Sequence, residues 1–225
     1  MDRTDWLNQM RREAEEKYDS LWSALYGEKY GMYSNATHQQ FLGKFLSLLP
    51  QHGMILDAAC GAGRYLPILL EKDNYVIGID QSQGMLSRLK AKFPNIQIEK
   101  IGLQEMRYQE KFDGAICMDA MENVCPEDWP IVLANFYRAI KPEGYLYFTV
   151  EIADDNEVKM AFLRSQQLGL PVVYGEWPGE RDGVYHYYPS VQQVKEWIRH
   201  AGFDLTEEGE GDSYHHFIDR KASKV

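Results

Sequence analysis

Asp57 and Asp80 each close a short apolar run, and the loop Ala59-Cys60-Gly61-Ala62-Gly63-Arg64 lies between them. Glycine at 61 and 63 opens backbone angles closed to other residues and lets a ligand lie against the main chain. An acid at the end of the second run, Tyr75-Val76-Ile77-Gly78-Ile79, accepts two hydrogen bonds from a ribose diol. Asp80 stands seventeen residues after Gly63, the layout of a nucleoside-binding βαβ unit.

The loop argues against a dinucleotide. A pyrophosphate seated on a helix N-terminus needs a third glycine where this chain has Leu66, and Asp57 would face a phosphate unfavourably. An acid at that point suits a ligand carrying an ammonium and a sulfonium. Further landmarks follow in order: Phe112-Asp113-Gly114-Ala115-Ile116-Cys117-Met118, Ala139-Ile140-Lys141-Pro142-Glu143-Gly144 and Ala201-Gly202-Phe203. On these residues, over roughly 38–220, the chain resembles the class I S-adenosylmethionine-dependent methyltransferases. Their first motif reads acid-x-G-x-G-x-G, and Ala59 replaces its first glycine here.

The resemblance implies an α/β, Rossmann-like, doubly wound sheet of seven strands, mostly parallel with an antiparallel last strand. It also implies S-adenosylmethionine as cofactor. Asp80 would hold the ribose, Gly61 and Gly63 would bring main chain to the methionyl part, and Asp57 would help hold its amino group. The stretch after the third strand lacks the acid that often meets adenine, so Gln104 and the Leu103 main chain are assigned that contact. Gln81 and Met85 follow Asp80 at the adenine edge, Met118 ends the fourth strand, and Arg64 is a partner for the methionyl carboxylate. An N-terminal aromatic hydroxyl, from Tyr26, Tyr30 or Tyr33, would reach over the cofactor.

A methyl acceptor that must lose a proton needs a base, and histidine titrates in the useful range. His186, within Tyr185-His186-Tyr187-Tyr188, and His215 and His216, which open the last strand, are the candidates. Asp119 and Glu122, which follow the fourth strand, are candidates to orient the acceptor. No cluster with metal-ligand spacing is present. The tyrosine- and histidine-rich rim favours an oxygen nucleophile on a small molecule. Transfer to a small amine, a nicotinamide-dependent oxidoreductase and a non-catalytic S-adenosylmethionine-binding protein are the rival readings.

Around these residues the pattern alternates strands and helices, with strands expected near 54–59, 75–80, 96–101, 112–118 and 145–151. A final hairpin is expected over 203–208 and 214–220, joined by the Gly209 to Ser213 turn. Apolar residues at spacings of three and four predict an amphipathic helix over 4–26 and a second over 38–49. A single domain over 1–225 is expected, with 1–36 as an N-terminal cover and 152–188 as a lid or substrate insertion. The 225 residues carry a net charge of −10 and no Lys/Arg cluster, which argues against nucleic acid as a partner. With no run of eighteen apolar residues, no membrane partner is expected. Three cysteines without C-x-x-C spacing suit a cytoplasmic protein. The oligomeric state is left open.

Overall fold

The structure is a computed structural model and describes residues 2–22, 35–179 and 183–222. Its centre is a seven-stranded sheet built from β1 (Met54–Ala58), β2 (Tyr75–Asp80), β3 (Gln97–Lys100), β4 (Phe112–Cys117), β5 (Ile140–Glu151), β8 (Phe203–Gly211) and β9 (Tyr214–Lys221). The spatial order is β3-β2-β1-β4-β5-β9-β8. All neighbours pair in parallel except β9, which runs antiparallel to both β5 and β8. The expected seven-stranded Rossmann-like sheet is therefore present, and the last strand is wedged between β5 and β8.

Strands buried on both faces need apolar residues at consecutive positions, with successive side chains sent to opposite layers. Leu56, Ile77, Ala115, Leu146 and Phe148 join a layer with Trp129, Leu133 and Phe136 of α5 (Trp129–Ala139) and Val194 and Ile198 of α7 (Val191–Ala201). Their neighbours Ile55, Val76, Ile116 and Tyr147 join the other layer. That layer holds Phe41, Leu42 and Phe45 of α2 (Ala36–Leu48), Leu66 and Leu69 of α3 (Leu66–Leu69), and Leu86 and Leu89 of α4 (Gln83–Lys92).

Boundaries shift in three places. β5 begins at Ile140, pairs there with Phe112, and resumes at Tyr145 opposite Gly114, so Lys141 to Gly144 bulge out of the ladder. β8 continues to Gly211, which tightens the expected five-residue turn to Asp212-Ser213. Both take positive φ, 55° and 68°, as a two-residue hairpin turn requires. The 152–188 insertion carries α6 (Asp155–Gln167), as expected near 156–168. It also carries a short antiparallel hairpin, β6 (Glu176–Pro178) with β7 (Tyr185–Tyr187), that periodicity missed because each strand is only three residues long.

The N-terminal helix α1 (Arg3–Lys17) is capped by Asp2, whose carboxylate accepts from the Asp5 N–H at 2.9 Å, and it continues as a wider turn over Tyr18–Trp22. Trp6 packs edge-on against Tyr185 of β7 at 5.9 Å. The N-terminal helix and the insertion thus meet at this contact. Among the described residues, no helix is long and apolar enough to cross a membrane.

Candidate functional site

The carboxyl ends of β1, β2, β4 and β5 open into a cavity of about 250 Å³, at the edge where sheets of this topology bind ligands. Its floor is the glycine loop. Ala59 and Gly61 both lie in the left-handed region, at φ 54° and 51°, and both border the cavity. The Cys60 N–H donates to the Ile79 carbonyl at 2.9 Å, tying the loop to β2. Cys60 itself is a buried free thiol whose pKa burial pushes well up, so it is a packing residue.

Asp80 borders the cavity at the end of β2. Its Oδ2 accepts the Gly61 N–H at 2.9 Å and its Oδ1 the Ser82 N–H at 2.8 Å. Burial pushes this carboxyl above its ordinary range, and the two main-chain bonds only partly offset it. A carboxylate oxygen has more than one acceptor position, so each retains capacity for a hydroxyl donor. Gln81, Met85, Ile101, Leu103 and Gln104 continue the wall from Asp80. Gln104 Nε2 donates to Asp128 at 3.1 Å, and Asn135 Nδ2 donates to the Leu103 and Gln104 carbonyls at 2.8 and 2.9 Å. Sequence reasoning missed Asp128 and Asn135. The signal for Asn135 was a polar residue on the apolar stripe of α5.

Two residues of the loop motif support the floor from beneath. Asp57 is 1% exposed and is not among the residues bordering the cavity. Burial, with repulsion from Asp80 added, pushes its carboxyl up to about 8. Asp57, expected to help hold the amino group, therefore lies beneath the loop, where the low-dielectric interior favours the neutral acid. Gly63, at φ 81°, faces inward as well. A Cβ there would meet Leu66 Cδ1 at 2.9 Å and Leu89 Cγ at 3.1 Å. Its missing side chain serves the packing of α3 and α4, and Gly61 alone of the pair presents main chain to the cavity.

At the other end, Met118 and Asp119 leave β4 into the cavity wall. Asp119 adopts φ 52° and is held from four sides. His38 Nε2 lies 3.0 Å from its Oδ1, Arg64 Nη1 and the Tyr65 hydroxyl donate to its Oδ2 at 3.0 and 2.6 Å, and its N–H donates to Thr149 Oγ1 at 2.8 Å. Burial alone would raise this carboxyl. The hydrogen bonds from His38 and Tyr65 and the charges of His38 and Arg64 outweigh it and hold Asp119 below its ordinary range. Arg64 borders the cavity as expected, already paired with Asp119. His38 was missed, although a histidine on the buried stripe of α2, three and four residues before Phe41 and Leu42, is the kind of mismatch that flags a polar contact.

Glu122 and His186 also border the cavity, with Tyr18, Asn123, Glu151 and Tyr214. His186 is 6% exposed and stacks on Tyr188 with ring centroids 6.0 Å apart. The other two histidine candidates lie elsewhere. His215 points to the opposite face of β9, near Glu210 at 3.8 Å and Phe217. His216 is fully buried, stacked on Phe41, with Nδ1 2.9 Å from the Tyr147 hydroxyl and Nε2 3.2 Å from the Gly211 carbonyl. A carbonyl can only accept, so the His216 proton resides on Nε2, and burial pulls its pKa down to about 4. Tyr214, paired with Glu151 at the strand ends, is the residue of this strand that reaches the cavity. Tyr26, Tyr30 and Tyr33 lie outside the described residues. No group of three or more metal-ligating side chains occurs among the described residues.

The donor set fits an adenosyl ligand: a carboxylate with spare acceptor capacity at the end of β2, apolar side chains beyond it, and a positive-φ loop that leaves main chain open. A model for the methyltransferase domain matches residues 55–144. The Bacillus subtilis protein YqeM is 29% identical over 215 residues, covering 82% of this chain and 85% of that one. Demethylmenaquinone methyltransferase of Oceanobacillus iheyensis is 26% identical over 210 residues, covering 85% and 84%. Among solved structures, Burkholderia thailandensis 1,6-didemethyltoxoflavin-N1-methyltransferase, with S-adenosylhomocysteine bound, superposes with TM-score 0.70 at 16% identity over 99% of this chain and 92% of its own. Strand order, loop and matched domain agree on one conclusion: the chain carries a methyltransferase domain with the fold of the class I S-adenosylmethionine-dependent methyltransferases and uses S-adenosylmethionine as its cofactor.

Proposed function

We propose that the protein methylates an oxygen nucleophile on a small molecule, with His186 as general base. The observation that carries this reading is that His186 borders the same cavity as Asp80, while His215 and His216 do not. Small, flat acceptors are supported by the relatives: demethylmenaquinone in one name, and ubiquinone biosynthesis by O-methylation in another, from Histophilus somni, 31% identical over 126 residues.

When bound, S-adenosylmethionine supplies a methyl group on a positive sulfur. The chain's own residues then have three tasks. Asp80, Gln81, Met85, Leu103 and Gln104 hold the nucleoside, and the Gly61 main chain and Arg64 hold the methionyl end. Asp119 fixes the direction of Arg64, and Glu122 orients the acceptor. His186 would take the proton from the acceptor hydroxyl, whose oxygen would gain the methyl carbon as the carbon–sulfur bond breaks and S-adenosylhomocysteine leaves. Alignment of this kind supplies about 7 to 11 kcal/mol of a bimolecular barrier, and α1 with the 152–188 insertion excludes water in one domain spanning the chain.

Labelled S-adenosylmethionine incubated with fractionated small-molecule extract should yield a labelled, base-stable ether or base-labile ester. His186→Gln should lower its formation by about 10² to 10⁴ with cofactor affinity retained. His215→Gln should leave it intact. Full turnover in His186→Gln removes the base from this residue.

A further inference from the structure

Two donors converge on one oxygen behind the wall that runs on from Asp80. Asp128 Oδ2 accepts from Arg11 Nη2 of α1 and from Gln104 Nε2, the latter at 3.1 Å. Asp128 is buried and does not border the cavity, whereas Gln104 does. Asp128 stands just before α5, yet its side chain makes no capping bond to that helix. Its carboxylate is committed to the two donors instead.

A carboxylate accepts and cannot donate. The amide nitrogen of Gln104 therefore faces Asp128, and the amide oxygen is turned away from it. That oxygen, Oε1, lies 3.5 Å from where a Cβ at Gly102 would stand, and Gly102 borders the cavity as well. Among the described residues, none donates to it. A free glutamine amide presents either of its ends to a ligand, whereas this one, anchored by its nitrogen, presents an acceptor. The amino group at position 6 of adenine donates to such an oxygen. A 6-oxo group only accepts, and would leave two acceptors facing each other.

We infer that Asp128 is a positioning residue for cofactor selection: by fixing the Gln104 amide it makes the site take a 6-aminopurine and reject a 6-oxopurine. The inference rests on placing the nucleobase along the Gln104 wall. Arg11 makes the dependence on Asp128 stronger. Its guanidinium only donates, so without the carboxylate it is left beside an amide that can satisfy it solely through Oε1. Turning Oε1 to Arg11 would turn Nε2 to the cavity and reverse the preference.

The test is calorimetric titration of the full chain with S-adenosylhomocysteine and its 6-oxo analogue, S-inosylhomocysteine. The wild-type protein should bind the amino form about tenfold to a hundredfold more tightly. Asp128→Ala should cut that ratio by about tenfold, weakening the adenosyl ligand and strengthening the inosyl one, a gain that damage to the fold cannot produce. Asp128→Asn keeps an acceptor where Arg11 and Gln104 converge, and should stay within about threefold of the wild-type ratio. Gln104→Leu should lower the ratio by itself, and in that background Asp128→Ala should leave it unchanged. Equal binding of both forms by the wild-type protein overturns the proposal. So does a ratio unmoved by Asp128→Ala, an equal fall in both affinities with total loss included, or a shift by Asp128→Ala that persists in the Gln104→Leu background. If Gln104→Leu alone changes neither affinity nor ratio, the placement of the base along this wall fails instead, a separate outcome of the same titrations.

Discussion

Arg3 lays its guanidinium flat against the buried carboxylate of Glu176, Nη2 2.8 Å from Oε1 and Nη1 3.0 Å from Oε2. The two are 173 residues apart in sequence. Glu176 is fully buried and also accepts from the Tyr185 hydroxyl and the Val173 N–H, each at 2.6 Å. One ion pair therefore fastens α1 to the hairpin that carries His186.

Arg3→Met leaves the Glu176 carboxylate buried without its counter-charge and should cost about 3 kcal/mol of stability, since breaking a buried pair from one side is far costlier than replacing both partners. The double variant Arg3→Met with Glu176→Gln should recover part of that loss. Urea unfolding of the three proteins reads it directly. A double variant no more stable than the single would mean that the remaining carboxylate partners, not the charge pair, carry the hairpin.

Ala59 occupies the left-handed region, where an L side chain costs about 1 to 2 kcal/mol. Glycine removes that strain and gives back about 0.4 to 1 kcal/mol in unfolded-chain entropy. Ala59→Gly should therefore raise stability by about 0.5 to 1 kcal/mol, seen as a higher melting temperature by calorimetry. A lower one would show that the Ala59 methyl group makes packing contacts worth more than its strain.

Asp80→Ala should weaken S-adenosylmethionine and S-adenosylhomocysteine equally, by about 1.5 to 3 kcal/mol, because the two share the ribose and differ only at sulfur. Isothermal titration of both ligands checks it. Loss of one affinity without the other would assign Asp80 to the sulfur end.

His216 gives the fold a pH dependence of known sign. The unfolded chain takes up its proton near the ordinary value of 6.5, whereas the folded chain resists until about 4. Stabilisation from the neutral ring is complete above pH 6.5 and declines as pH falls toward 4, by up to about 3 kcal/mol. His216→Gln removes the titration and should flatten unfolding free energy between pH 6.5 and 4.5 relative to the parent. Parallel profiles for the two proteins would place the acid sensitivity on another group.

Much of the chemistry is local enough to read along the chain. Asp80 after an apolar run, glycines at 61 and 63, and the strand, turn and strand at the C-terminus each follow from periodicities of two and a few special backbone positions. These motifs led to the sheet, the cofactor and the wall of the cavity that runs on from Asp80. His38 stood out only as a mismatch on an apolar stripe, and its pairing with Asp119, 81 residues away, like that of Arg3 with Glu176, was not legible, because each contact exists only once distant elements are packed.

Direction was equally hidden. The pattern put His215 and His216 at the ligand edge, yet the register of β9 against β5 sends Tyr214 to the cavity and His216 into the layer beneath α2. Asp57 and Gly63 belong to the loop motif by spacing but face the interior. The sequence by itself determined which residue types lie near the carboxyl ends of the strands, because strand period and turn chemistry are properties of a few neighbours. Only the tertiary structure decided which of them face the cavity and which are protonated, because side-chain direction depends on long-range register and charge state depends on what the fold packs around each group.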